Sequence, residues 1–125
     1  MLLKKVFAVA LVATAAFSAV PIQCNLNALN PVERKHHAAL SEKLRKAAIG
    51  KQELADGLVF LLSPKTISLA ELADWVDAER RCCPFLDFRL TLEHEDGAIQ
   101  LALTGGPEVK ELLVAEFAKI GGAIQ

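Results

Sequence analysis

Two adjacent cysteines, Cys82 and Cys83, stand directly before Pro84, where a helical pattern stops and a strand pattern begins. Thiolates prefer soft or borderline ions, so two successive sulfurs at a bend are suited to hold one ion. The third cysteine of the chain, Cys24, would add another sulfur, and His36 would complete a Cys3His set, which is a known zinc ligand set. We therefore predict a metal site at Cys82, Cys83, Cys24 and His36, for Zn, Cu(I), Hg or As(III).

The same sulfurs allow three other interpretations. A disulfide from Cys24 to Cys82 or Cys83 would close a loop of about 58 residues and stabilise the fold by about 4 kcal/mol in the chain-entropy treatment. The second interpretation is a redox thiol: the positive charges of Arg80 and Arg81 favour a thiolate, while the negative C-terminal end of the preceding helix opposes one. The last is that the cysteines are inert core residues. No catalytic partner for a thiol is evident, so we predict no catalytic residue and favour a binding protein over an enzyme.

The start of the chain has the pattern of a secretory signal peptide over residues 1–20. Lys4 and Lys5 precede an uncharged apolar run over residues 6–20. A full membrane span needs about 20 apolar residues, so the length favours cleavage over an uncleaved anchor. We predict export to the periplasm or the exterior, with an N-terminal membrane anchor as the alternative.

Composition and charge limit the class of protein. The chain has 125 residues and a net charge of −1, with no tyrosine and one tryptophan. Nucleic-acid binding needs a basic patch, and none is present in the sequence. We predict a single domain over residues 24–122, with a metal ion or a small thiol-reactive ligand as its partner and no nucleic acid.

Three segments have the start signals of helices. Asn30 precedes Pro31 with Glu33 three residues later, and Ser68 precedes Glu71 at the same spacing, which is the pattern of a capping box. The third helix starts at Pro107 after two glycines, and Gly50, Pro84 and Gly121 mark where the three helices end. The predicted helices run from Pro31 to about Ala48 with Gly50 ending the first, from Ser68 to just before Pro84, and from Pro107 to Gly121.

Helical spacing predicts which residues these helices bury. In the first helix it places His36 on the apolar stripe and His37 outside it. In the second helix it places Glu79 on the solvent side. The predicted buried stripes are Val32, His36, Leu40, Leu44 and Ala47 in the first helix, Leu69, Leu72, Ala73 and Val76 with Trp75 beside them in the second, and Val109, Leu112, Leu113, Phe117 and Ile120 in the third.

Two Asp-Gly pairs, at residues 56–57 and 96–97, predict hairpin turns between apolar strands. The second arm of the first hairpin, residues 58–62, is apolar on both faces. The element order is then helix, hairpin, helix, hairpin, helix. This order predicts an α+β fold, with a four-stranded antiparallel sheet of two hairpins and three helices packed on one face.

Three segments, residues 24–34, 79–88 and 103–105, resemble an uncharacterised family of small bacterial proteins. The resemblance covers about residues 24 to 117, and the Cys-Cys-Pro-Phe block is also similar to a segment of some mercury-resistance-type (MerR-like) regulators. It implies a thiol-based connection to heavy metals or metalloids at Cys82 and Cys83, and less directly at Cys24. The chain departs from that pattern in its apparent export signal and in lacking a helix-turn-helix segment, which argues against a regulator.

Overall fold

The computed structural model describes residues 23–95 and 97–118. The predicted signal peptide, Asp96 of the second hairpin signal, Ile120 and the glycines at 121–122 lie outside the described residues. Within these ranges, no helix has both the length and the hydropathy that crossing a bilayer requires.

The described chain forms three α-helices and four strands in the predicted order. All strand pairs are antiparallel, and the strand order across the sheet is β1-β2-β4-β3. The predicted α+β fold is therefore confirmed. After a 3₁₀ turn at Leu26–Ala28, the elements are α1 Pro31–Ala47, β1 Ala48–Leu54, β2 Gly57–Leu62, α2 Leu69–Cys82, β3 Asp87–Thr91, β4 Ile99–Thr104 and α3 Pro107–Glu116.

The helices cover one face of the sheet. The two central strands pair their buried residues directly, with Leu58 opposite Leu103 and Phe60 opposite Leu101. Residues opposite each other in a ladder share a face, so these side chains form one apolar layer. The residues packed on that layer include Leu44, Leu72, Trp75, Val109 and Leu113 from the helices, and Phe117 directly after α3.

Helices α1 and α2 lie side by side and antiparallel. Arg81 near the end of α2 contacts Glu33 near the start of α1, with Nη1 and Oε2 2.6 Å apart. At the other end of the pair, the Lys43 ammonium contacts the Glu71 carboxylate. These two contacts lie at opposite ends of the pair and show the register in which the helices lie side by side.

Both predicted capping boxes are confirmed. Asn30 Oδ1 accepts from the Glu33 N–H at 2.9 Å, and Glu33 Oε1 accepts from the Asn30 N–H at 3.0 Å. Ser68 and Glu71 make the same pair of bonds, each at 3.1 Å. Each box satisfies backbone N–H groups that the first turn leaves free, so it fixes where the helix begins.

The predicted buried stripe of α1 was wrong at its N-terminal half. Val32 is 79% exposed, and His36 lies on the outer surface, 3.7 Å from the exposed Asp74 carboxylate. His37, expected to be exposed, is buried. Repeated steps of four residues turn a stripe by about 40° each, whereas alternating steps of three and four hold one face. The buried face is His37, Leu40, Leu44 and Ala47.

Similar shifts occur in α2 and at the end of α1. Leu69 and Ala73 are exposed, and Glu79, expected to face solvent, is buried. The first helix ends at Ala47, and Gly50 lies inside β1 beside an irregularity in the strand pairing rather than ending the helix. The buried residues of α2 are Leu72, Trp75, Ala78, Glu79 and Cys82.

The two hairpins differ. The first turns at residues 55–56, as its Asp-Gly signal predicts. The second has a longer connection over residues 92–98, in which His94 O accepts from the Gly97 N–H at 3.0 Å. Because Asp96 lies outside the described residues, the predicted Asp-Gly turn there stays a prediction.

Gly57 allows the first hairpin to pair closely with β4. A Cβ at this position would lie 2.8 Å from Thr104 Cα and closer still to the Leu103 carbonyl oxygen. We expect Gly57→Ala to lower the free energy of unfolding by about 2 kcal/mol, because backbone atoms must move to admit the methyl group. Urea unfolding measures this, with Ala55→Ser in the exposed turn as a control expected within about 0.5 kcal/mol. An unchanged unfolding midpoint for Gly57→Ala would contradict the described pairing.

Candidate functional site

Helices α1 and α2 bring together in the interior three side chains of types that can bind a metal ion. His37 on α1 faces Glu79 and Cys82 on α2, and these three residues are 7%, 6% and 1% exposed. His37 Nε2 lies 2.6 Å from Glu79 Oε2, the distance of a strong hydrogen bond. The ligand atoms of the three residues lie within 4.8 Å of one another. We call His37, Glu79 and Cys82 the buried cluster.

The histidine ring is held by its neighbours. The Trp75 ring stacks on the His37 ring at a centroid distance of 5.7 Å and an interplanar angle of 23°. Trp75 Nε1–H donates to Ser41 Oγ at 3.0 Å, and the Ser41 hydroxyl donates to the His37 carbonyl oxygen at 2.8 Å. The other ring nitrogen, His37 Nδ1, is buried and has no hydrogen-bond partner among the described residues. Buried polar atoms are normally paired, so this nitrogen has capacity for a further group.

The structure selects one cysteine pairing from those that the sequence left open. Cys24 and Cys83 form a disulfide, with Cα atoms 4.6 Å apart and a sequence separation of 59. Cys82 is the free, buried thiol. The Asn25 N–H donates to the Cys82 carbonyl oxygen at 2.7 Å, so the segment carrying Cys24 is also tied to the end of α2 by its backbone.

The Glu79 carboxyl group lies between the free thiol and the disulfide. Its Oε2 is 3.9 Å from Cys82 Sγ and its Oε1 is 3.4 Å from Cys83 Sγ. The disulfide sulfur carries no proton, so the second distance is a contact and not a hydrogen bond. The sulfurs of Cys82 and Cys83 are 3.8 Å apart. One carboxyl group thus touches both kinds of sulfur.

The Cys82 thiol is held in its neutral form. Burial, and then the negative charge of Glu79, raise the pKa of Cys82 to about 11. Arg81 lowers the same pKa, but its effect is smaller, and its guanidinium is engaged with Glu33. The neighbouring arginines therefore do not produce the activated thiol that a redox or nucleophilic role would use.

A cavity of about 400 Å³ adjoins the buried cluster. Cavities of this size accommodate small ligands. Glu116, at the end of α3, adds a second carboxyl group to the cavity wall. Burial of its carboxyl group, and then the charge of Glu79, raise the pKa of Glu116, although the residue as a whole is exposed. The wall includes Cys24, His37, Trp75, Glu79, Cys82, Cys83 and Glu116.

The predicted ligands are brought together only in part. Cys24, Cys82 and Cys83 meet at the end of α2, whereas His36 points away from them. In the part of the chain described here, the groups of close ligand atoms contain His37 and Glu79 and do not contain His36. Sequence reasoning missed Glu79. The available signal was its spacing, since Leu72, Trp75, Glu79 and Cys82 follow each other at three and four residues.

Comparison with protein-family models, with curated proteins and with solved structures finds no match for this chain. The assignment of the site therefore depends on its geometry and chemistry.

The raised pKa predicts slow alkylation of Cys82. In the disulfide form, we expect its reaction rate with iodoacetamide to rise about tenfold per pH unit until the pH approaches 11, because only the thiolate reacts. The same shift also makes the free energy of unfolding depend on pH, because the folded chain holds the Cys82 proton more tightly than the unfolded chain does. The contribution of Cys82 to this free energy is full below a pH of about 9, the pKa of the unfolded thiol, and is lost as the pH rises through about 11. Glu79→Gln removes one cause of the shift and should move the rate profile to lower pH. A profile centred near the value of an ordinary thiol would contradict the described environment.

The disulfide predicts a large loss of stability on reduction. The closed loop spans 59 positions, and opening it should lower the free energy of unfolding by about 2–4 kcal/mol. We expect a lower melting temperature both for the reduced protein and for Cys24→Ser. His94→Ala, at an exposed position, is the control and should leave the melting temperature unchanged. Equal melting temperatures for reduced and oxidised protein would contradict a stabilising disulfide.

Proposed function

We propose that this protein binds a borderline or soft metal ion through Cys82, Glu79 and His37. The observation that carries the proposal is the buried cluster itself: an imidazole, a carboxyl group and a free thiol whose ligand atoms lie within 4.8 Å of one another beside a cavity. The predicted ligand set is revised in this proposal, with His37 in place of His36 and Glu79 added.

The donor set favours zinc among common ions. Zinc in proteins accepts sulfur, nitrogen and oxygen ligands, with three protein ligands and one open position where the metal is reactive or exchangeable. A tetrahedral ion would hold sulfur and oxygen about 3.6 Å apart, and nitrogen and oxygen about 3.4 Å apart, given the usual bond lengths. The thiol and the carboxyl oxygen are 3.9 Å apart, close to that separation.

Metal entry would require one hydrogen bond to open. His37 Nε2 and Glu79 Oε2 are 2.6 Å apart, which is shorter than two ligands of one ion adopt. Rotation of the two side chains towards the cavity would need to lengthen this distance by less than about 1 Å to admit the ion. The fourth position would then face the cavity.

Charge supplies a reason for the ion to bind. Burying a carboxyl group is costly unless an opposite charge compensates it, and within the cluster only His37 offers such compensation. A divalent ion would compensate both the Glu79 carboxylate and a Cys82 thiolate. Binding would release the thiol proton, so affinity should rise with pH.

The biological setting remains part of the proposal. The predicted export signal would place the protein in an oxidising compartment, where a disulfide persists. The resemblance of the Cys-Cys-Pro-Phe block to proteins connected with heavy metals supports the proposal of a thiophilic metal ligand. On these grounds we propose a small exported protein that handles a thiophilic metal ion or metalloid.

A second candidate function is a structural or partner-binding module without metal. It is favoured by one observation, the Cys24–Cys83 disulfide, which ties the N-terminal segment to the end of α2. In this alternative, Cys82 is an inert core thiol and the His37–Glu79 pair is a buried polar contact. The two candidates differ in metal stoichiometry, which is one ion per chain in the first and none in the second.

The neighbouring histidines of α1 provide a matched test. We expect His37→Gln to weaken Zn²⁺ or Co²⁺ binding at least about tenfold, because it removes a ligand, and His36→Gln to leave binding unchanged. Isothermal titration of the disulfide form with Zn²⁺ gives the affinities. The ultraviolet thiolate-to-cobalt absorption reports whether Cys82 is a ligand.

Two cysteine variants and one control variant complete that experiment. Cys82→Ser should abolish the thiolate-to-cobalt absorption, and the Cys82→Ser, Cys83→Ser double variant should abolish binding, while His94→Ala should bind as the parent chain does. Circular dichroism identifies any variant that has lost its fold. Equal zinc affinity for the His36 and His37 variants, or unchanged binding by the folded Cys82→Ser variant, would overturn the proposed ligand set.

A further inference from the structure

The buried cluster continues directly into the disulfide. Cys82 Sγ and Cys83 Sγ are 3.8 Å apart, and Cys24 Sγ is bonded to Cys83. Cys83 Sγ is thus next to both of the other sulfurs, and the Glu79 carboxyl group contacts the sulfurs of Cys82 and Cys83. In the disulfide form, only Cys82 can supply a thiolate to an ion.

The spacing of the two adjacent sulfurs fits a shared ion. Two sulfurs bound about 2.3 Å from one centre are about 3.8 Å apart at the tetrahedral angle of zinc, and about 3.4–4.0 Å apart at the angles of a three-coordinate centre. Cys82 and Cys83 already have this separation. The Cys24 and Cys83 sulfurs would need to move from a bonded distance of about 2.05 Å to a similar separation. Loss of the covalent bond permits that movement.

A noncovalent tether would keep Cys24 near the other sulfurs after reduction. The Asn25 N–H donates to the Cys82 carbonyl oxygen at 2.7 Å. Leu29, a few residues later, is 2% exposed, so the segment before α1 is anchored in the interior as well. The position of Cys24 thus depends on three attachments, of which the disulfide is only one.

We propose that reduction of the Cys24–Cys83 disulfide creates a second, all-sulfur site at Cys24, Cys82 and Cys83 for thiophilic species such as As(III), Hg(II) or Cu(I). The inference rests on the proposed function, since it makes the disulfide the element that selects between two classes of cargo. The disulfide form, with one thiolate, binds a zinc-like ion through His37 and Glu79. The reduced form, with three thiolates, prefers the softer species.

The chemistry of the change balances with a dithiol as reductant. The dithiol transfers two electrons and two protons to the Cys24–Cys83 bond, which becomes two thiols, and the dithiol becomes a cyclic disulfide. Arsenous acid then exchanges its three hydroxyl groups for the three thiolates. The three thiol protons leave with those hydroxyl groups as three molecules of water.

Arsenous acid is the sharpest probe, because one arsenic bound to three sulfurs consumes every thiol of the chain. The full chain is reduced with a water-soluble phosphine, which takes up oxygen from water as it opens the disulfide, and is then desalted without air. We expect one arsenic per reduced chain by native mass spectrometry, and affinity for the disulfide form at least a hundredfold lower. Tryptic mapping after alkylation should show Cys24, Cys82 and Cys83 all protected.

Matched variants separate this inference from the proposed function. Cys24→Ser keeps the adjacent pair, and we expect at least tenfold weaker arsenic binding that no longer depends on reductant. His37→Gln should reduce zinc binding by the disulfide form and leave arsenic binding by the reduced form within about twofold, because the imidazole is not a ligand of the all-sulfur site. Protection mapping on the parent chain tests the inference even where Cys24→Ser fails to fold.

Two outcomes would overturn the all-sulfur site. The first is no arsenic on the reduced chain, and the second is protection of Cys82 and Cys83 with Cys24 still alkylated. Arsenic binding by the reduced chain, together with no zinc binding by the disulfide form, would instead overturn the proposed function and leave the three-cysteine site standing.

Discussion

The structure depends on the burial of one acidic side chain, Glu79, against His37. A carboxyl group in the interior is costly unless it is paired, so the fold must deliver a partner at hydrogen-bond distance. The 2.6 Å contact does this, and it requires α1 and α2 to lie antiparallel in one register. The capping boxes fix where the two helices begin, and the Arg81–Glu33 ion pair holds the end of α2 against the start of α1. These same constraints place Cys82 beside the pair.

The position at which α2 ends determines that Cys82 is a buried free thiol and that Cys83 forms the disulfide. Cys82 is the last helical residue, seven positions after the buried Trp75, and its side chain continues the interior face of the helix. Cys83 is the residue after the helix, where the backbone has left helical angles. Its sulfur therefore points towards the segment that carries Cys24, and the disulfide closes there. Two neighbouring residues of the same type thus have different environments, because one backbone position separates helix from turn.

Much of the fold could be predicted from local signals. Capping boxes and the first Asp-Gly turn act within a few residues, so the sequence contains them completely, and the element order followed. Val32 and His36 were misassigned because a stripe built from repeated steps of four residues drifts around the helix, and which part of that stripe is buried depends on where α2 packs, which is a tertiary contact. Glu79 was missed because acidic residues are seldom buried unless paired, and its partner lies 42 positions away. The cysteine pairing likewise depended on where α2 ends.

The proposed zinc site is tested most directly by X-ray absorption at the zinc edge, on the disulfide form loaded with one equivalent of Zn²⁺. We expect a mixed shell around zinc: one sulfur at about 2.3 Å, from Cys82, with nitrogen and oxygen ligands at about 2.0–2.2 Å, including an imidazole signal. A shell without sulfur, or one without imidazole, would contradict the claim that Cys82, Glu79 and His37 form a metal site.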